Sequence, residues 1–104
     1  MIAHEQCQCI DDNTAKLTGL LNRDTVPALW KLFKAWQPQQ TTLELNLSQL
    51  ERVDSAGMVM LIHLLEHAKK RNCHIMLSFV PKQLSTLLAL SNVEKHIAEH
   101  IKIN

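Results

Sequence analysis

Between Leu43 and Arg71 the chain passes from a strand pattern through a polar turn into an apolar helix. No other part of its 104 residues constrains the fold as much. Leu43, Leu45 and Leu47 alternate with Glu44, Asn46 and Ser48, the period-2 signature of a strand with one buried face. Asp54 and Ser55 each offer an oxygen that can cap a helix, and the small residues Ala56 and Gly57 follow. From Met58 to Ala68 only His63, Glu66 and His67 interrupt an apolar run, and Lys69-Lys70-Arg71 close it with cations suited to a helix C-terminus. A strand, a short turn and a buried helix make half of an α/β unit. The helix start leaves backbone N–H groups without intrahelical partners, so this is where function is expected.

Around this unit the remaining elements fall into place. Residues 2–10 read as a strand, Asp11-Asp12-Asn13-Thr14 as a turn, and residues 15–21 as a second strand with Leu17, Gly19 and Leu21 on one face. Asp24 or Thr25 can cap a helix that admits Pro27 in its first turn and runs to about Trp36, with Pro38 as its stop. Residues 43–48 form the third strand and 56–71 the second helix. His74 to Val80 is apolar on both faces, as a central strand covered by helices would be. Pro81 opens a third helix carrying Leu84, Leu87 and Leu88, and Val93, Ile97 and Ile101 suit a short C-terminal helix. The order is β-β-α-β-α-β-α-α in one domain spanning 1–104.

At about 100° per residue, Val26, Leu29, Phe33 and Trp36 share one stripe of the first helix, and Trp30 falls about a quarter turn away. In the second helix Met58, Leu61, Leu64, Leu65 and Ala68 face inward, leaving Val59, Met60 and Ile62 on the flanks or outside, beside His63 and Glu66. Apolar residues there need a cover, either a partner protein or another part of the same chain. Trp30 is an interface anchor or a seal at the edge of the core.

Composition narrows the chemistry. A formal net charge of +1 gives no reason to expect nucleic acid or an anionic membrane surface as a partner. Met58 to Leu65 is too short to span a bilayer, and the first residues lack a basic stretch followed by an apolar one. Three cysteines, an odd count, suggest reduced thiols and the cytosol. Gly19 and Gly57 are the only glycines, so no glycine-rich phosphate loop exists. His63 and His67 lie four apart on one helix face, a spacing that can bind metal, but no third ligand accompanies them. His4, Cys7 and Cys9 at the terminus are weak evidence for a metal site, and Cys7 and Cys9 more simply alternate on a strand. No nucleophile–base pair follows from spacing. The expectation is a protein without catalysis, cofactor, metal or small-molecule substrate. The turn serves as a helix cap, or else as a docking or phosphate-accepting tip on which Ser55 holds the only hydroxyl.

Leu17-Thr-Gly-Leu-Leu-Asn-Arg-Asp-Thr25, Leu45-Asn-Leu-Ser48 and Val53-Asp-Ser-Ala-Gly-Met58 together resemble the STAS family, the fold of anti-anti-sigma factors, over nearly the whole chain. The resemblance implies a mixed four-stranded sheet with helices mainly on one face, no catalysis, and a nucleotide-hydrolysing or kinase partner. In phosphorylated members a serine stands just before the glycine. Here that position is Ala56, so no phosphate is expected there, and Ser55 is the only alternative in the turn. The runs Pro27-Ala-Leu-Trp30 and His63-Leu-Leu-Glu-His-Ala-Lys-Lys70 are similar to STAS subunits of phospholipid-transport ABC complexes, which maintain outer-membrane lipid asymmetry. That likeness implies an accessory subunit on the cytoplasmic ATPase, peripheral to the inner membrane only through its partner. It gives Trp30 and Ser55 a contact role by position, and with the outward Val59 and Met60 and their neighbours Asp54, Ala56, Gly57 and His63 they make the expected partner surface. The alternative it implies is a regulator that captures a kinase-like anti-sigma factor.

Overall fold

The computed structural model of the protein describes residues 5–93 and 97–101. The strands are β1 (Cys7–Asp11), β2 (Thr14–Leu21), β3 (Thr42–Val53) and β4 (His74–Ser78). The helices are α1 (Val26–Ala35), α2 (Ser55–Lys69) and α3 (Lys82–Leu90), and a single 3-10 turn covers Ala98–His100. The strands form one sheet in the order β1-β2-β3-β4. β1 runs antiparallel to β2, with Cys7 opposite Leu17, whereas β3 lies parallel to both neighbours, aligning Leu45 with Ala15 and with Leu77. This is the mixed sheet the sequence leads one to expect.

Side chains alternate across a sheet, so each strand offers one row to the core. Ala15, Leu17 and Leu21 of β2, Leu43, Leu45 and Leu47 of β3, and Ile75 and Leu77 of β4 are buried beneath the helices. The opposite rows, including Lys16, Thr18, Glu44, Asn46 and Met76, keep partial access to water. Helices supply Leu29 and Phe33, Met58, Leu61, Leu64 and Leu65, and Leu84 and Leu88 to the same core. Trp36, just past α1, is buried with them.

Several boundaries differ from expectation. β3 continues to Val53 because β2 follows it through two register shifts. Lys16–Asn46 gives way to Thr18–Gln49, and Gly19–Leu50 to Leu20–Arg52. Each shift inserts an extra residue and breaks the alternation by which a strand is recognised. β4 is not central; it ends the sheet, and Ile101 meets it in a parallel bridge to Leu77. Its second apolar row is half-covered at Met76 and closed at Ser78. The expected strand at 2–10 begins at Cys7, with residues 2–4 outside those described. Of the C-terminal helix, residues 94–96 lie outside the described residues, and Ala98–His100 forms a 3-10 turn that leads into extended backbone at Ile101.

Neither Asp24 nor Thr25 caps α1 with its side chain. The Asn22 side-chain oxygen accepts from the N–H groups of Asp24 (2.9 Å) and Thr25 (3.1 Å), while the Thr25 hydroxyl donates to the Leu20 carbonyl at 2.8 Å. The Asn22 side chain organises the turn, and Thr25 ties it to the end of β2.

Gly57 lets α2 approach the sheet closely. A Cβ there would stand 2.6 Å from the Leu21 carbonyl oxygen, 2.7 Å from the Leu21 Cβ and 3.0 Å from Val53 Cγ1. Helix propensity alone favours alanine over glycine by about 1 kcal/mol. The clash is with main chain that cannot swing aside, because the Leu21 carbonyl also accepts from the Asp54 N–H at 3.0 Å. Gly57→Ala is therefore expected to destabilise the fold by roughly 1–3 kcal/mol in urea unfolding. An unchanged or raised midpoint would show that α2 can retreat from the sheet.

The three cysteines are unbridged, with Cys7 and Cys73 buried and Cys9 exposed. Burial, with the adjacent Cys9, pushes the Cys7 thiol up to about 11, and burial raises Cys73 as well. Only the thiolate attacks a disulfide reagent. In Ellman titration of the native protein Cys9 should react quickly, and Cys7 and Cys73 only after denaturation. Rapid reaction of all three would contradict the packing of β1 against the core.

A candidate partner-docking site at the start of helix α2

The site begins with the main chain leaving β3. Asp54 is extended (φ −101°, ψ −172°), and its Oδ1 accepts from the N–H groups of Ala56 (2.9 Å) and Gly57 (3.1 Å). Asp54 is thus the N-cap, and its carboxylate also complements the positive end of the helix dipole. Ser55, the other residue able to cap, has no such part; it is the first helical residue, and it is exposed.

Beside this cap lies a shallow apolar depression of about 450 Å³, lined by Val26 and Trp30 of α1 and by Ser55, Ala56, Val59, Met60 and His63 of α2. The two helices run side by side with their N-termini together, so Val26 sits near Ser55 and Ala56, and Trp30 near His63. The Trp30 ring lies 5.9 Å from the His63 ring and meets the edge of His67 at 6.2 Å. His67 also stacks on Trp36 at 6.2 Å, and its Nε2–H donates to the Trp36 carbonyl at 2.7 Å. A carbonyl only accepts, which assigns the proton to Nε2. His67 thereby joins the end of α1 to α2, and this explains the histidine spacing without a metal. Among the described residues no group of three or more His, Cys, Asp or Glu is placed to hold a metal ion, and His4 lies outside them.

The structure gathers Trp30, Ser55, Ala56, Val59 and His63 around one depression. Val59 is the most open of its apolar members, at 44% exposure. Two residues read from the sequence as partner-facing are differently placed. Met60 is buried, because α1 packs over the flank of α2 on which it lies, so it forms the floor of the depression rather than an outer surface. Gly57 is buried and turned toward β2 and β3, where it permits contact within the chain. Asp54 is exposed but borders the depression rather than lining it. Val26, assigned by sequence to the core stripe, is only partly covered and lines the wall. Its position one turn before Trp30 on the same helix face is the signal that could have found it. Ile62 lies on the opposite flank of α2, where Ile97–His100 form the far side of a separate groove.

Residues 10–101 match the family described as the Mlab, STAS domain. The chain is 36% identical over 95 residues to the intermembrane phospholipid transport system binding protein MlaB of Haemophilus influenzae, covering 88% of this chain and 90% of that protein. It is 32% identical over 81 residues to the Escherichia coli protein of the same name, covering 78% and 81% respectively. A putative anti-sigma factor antagonist from Thermotoga maritima shares the fold with a TM-score of 0.71 at 19% identity, over 94% of this chain and 85% of that one. By the extent of these matches, the chain belongs to the STAS-domain family, in the branch described as the Mlab STAS domain.

Proposed function

We propose that this protein is a non-catalytic accessory subunit that docks on the cytoplasmic ATPase of an inner-membrane phospholipid-transport ABC complex and supports its assembly and ATP hydrolysis. The observation that carries the reading is the open apolar depression beside the Asp54 cap, walled by a partly exposed tryptophan. The Haemophilus influenzae and Escherichia coli relatives both carry the name intermembrane phospholipid transport system binding protein MlaB. Membrane association would come through the partner, and among the described residues no helix is long and apolar enough to cross a bilayer.

The depression suits one apolar side chain of a partner rather than a substrate. A hot spot of this kind is an aromatic wall, an apolar floor and a rim that excludes water. Trp30 and Val26 give the wall, Met60 the floor, and Ser55 and His63 a polar rim able to hydrogen bond across the contact. With Asp54 capping the helix, the Ser55 hydroxyl takes no part in holding α2 and remains available to the partner.

Co-purification with the ATPase subunit and measurement of its ATP hydrolysis test the reading. Val59→Glu places a charge on an exposed site, so the fold should keep its melting temperature while association weakens by about 2 kcal/mol or more, roughly thirtyfold. Trp30→Ala should weaken it comparably, and Ser55→Ala should leave α2 intact with a smaller effect on binding. Binding by Val59→Glu and Trp30→Ala at wild-type strength would overturn the site. A wild-type protein that neither associates with the ATPase nor alters its rate would overturn the function. Phosphate transferred to Ser55 by a kinase-like anti-sigma factor would favour the anti-anti-sigma role instead.

A further inference from the structure

At the other end of α2, away from the docking depression, the last described residues are fastened down by two histidines. His100 is buried at 3% exposure, and its Nδ1 lies 2.6 Å from the Ile75 carbonyl. Since the carbonyl only accepts, Nδ1 carries the proton and the neutral ring has a bare Nε2. The ring stacks on His74 of β4 at 4.5 Å with 18° between the planes. The His74 Nε2–H in turn donates to the Glu99 carbonyl at 3.0 Å, with Met76 Sδ at 3.1 Å. Ile101 then pairs with Leu77, and Ile97 is buried in the core. These contacts hold Ile97–Ile101 as a strap along the outer side of β4.

We infer that His74 and His100 form an acid-sensitive clasp, which fastens this strap over the β4 edge at neutral pH and opens when His100 takes up a proton at Nε2. Protonation leaves the bond from Nδ1 in place, so what decides the outcome is the new N–H. The acceptor placed near it is Glu99 Oε1 at 3.5 Å, too far for a good hydrogen bond, and the ring is almost wholly buried. The charged groups around it compensate poorly. Glu99 of the strap is already paired with Lys69 of α2 at 3.0 Å, Glu66 of α2 lines the same groove, and the His74 ring of β4 lies stacked against the imidazole rather than offering it an acceptor. Burial, the largest influence, holds the His100 imidazole below its ordinary value of 6.5, against the opposing hydrogen bond to Ile75. A depressed histidine binds protons more weakly folded than released. The clasp's contribution is therefore complete above about pH 6.5 and is lost as the pH falls through the lower, folded value. Release would bare the β4 edge, an unpaired strand able to recruit another strand.

Amide exchange of the whole protein, corrected for intrinsic rates, tests the clasp at about pH 7.5 and about pH 5. Protection in residues 74–78 and 97–101 should fall by about tenfold or more at the lower pH while β3 and α2 stay protected. In His100→Gln, whose side-chain amide can still donate toward Ile75 and does not titrate in this range, protection should not depend on pH. Unchanged wild-type protection overturns the inference, as does an acid loss that persists in His100→Gln. Should that variant lose the strap at both pH values, imidazole nitrogen shifts of the wild type decide. His100 titrating in step with strap release supports the clasp, and His100 accepting its proton under a still-protected strap overturns it.

Discussion

The carbonyl of Leu21 is the point on which the arrangement of helix and sheet depends. It accepts from the Asp54 N–H, joining the end of β2 to the turn after β3, and it stands where a side chain at position 57 would begin. A larger residue would lift the helix from the sheet, and a helix lifted there would also turn about its axis. The rotation of α2 is thus settled at its first turn. Ser55, Val59 and His63 are directed outward, Met58, Leu61 and Leu65 into the core, and Met60 under α1. Residues that line the depression and residues that fill the core are separated by one contact between a glycine and a carbonyl.

The same turn makes the helix start a poor place for an anion. Helix N-termini attract phosphates because their N–H groups lack partners. Here the Asp54 carboxylate takes the N–H groups of Ala56 and Gly57 and brings its own negative charge, which repels another anion. With Ala56 and Gly57 following Ser55, the tip offers shape and apolar surface, and one hydroxyl at Ser55. Those are the means of a contact surface.

Much of this was legible because it follows from periodicity. The β3 leucines, Leu29, Phe33 and Trp36 of the first stripe, and the inward row of α2 appear where their spacing places them, and Trp30 is off the buried stripe as its angle requires. What escaped depended on contacts between elements. The extra residues in β3 exist because β2 pairs around them, and nothing within 49–53 announces a strand. The place of β4 at the sheet edge is a fact of topology that an apolar run cannot reveal. Met60 looked outward on a helical wheel that contained no α1, and Val26 looked buried on one that contained no α2. Asp54 and Ser55 were equal candidates for the cap until backbone geometry chose between them.

The bond from His67 to the Trp36 carbonyl bears on how the molecule comes together. Helix α1 is ten residues long, too short to be stable alone in water, and no cap of its own side chains begins it. Its last turn is held by a ring carried on α2, which follows β3 in the chain. The helix is thus completed by a part of the protein made after it. The place of Trp30 beside His63 and His67 therefore depends on α2 as much as on its own helix.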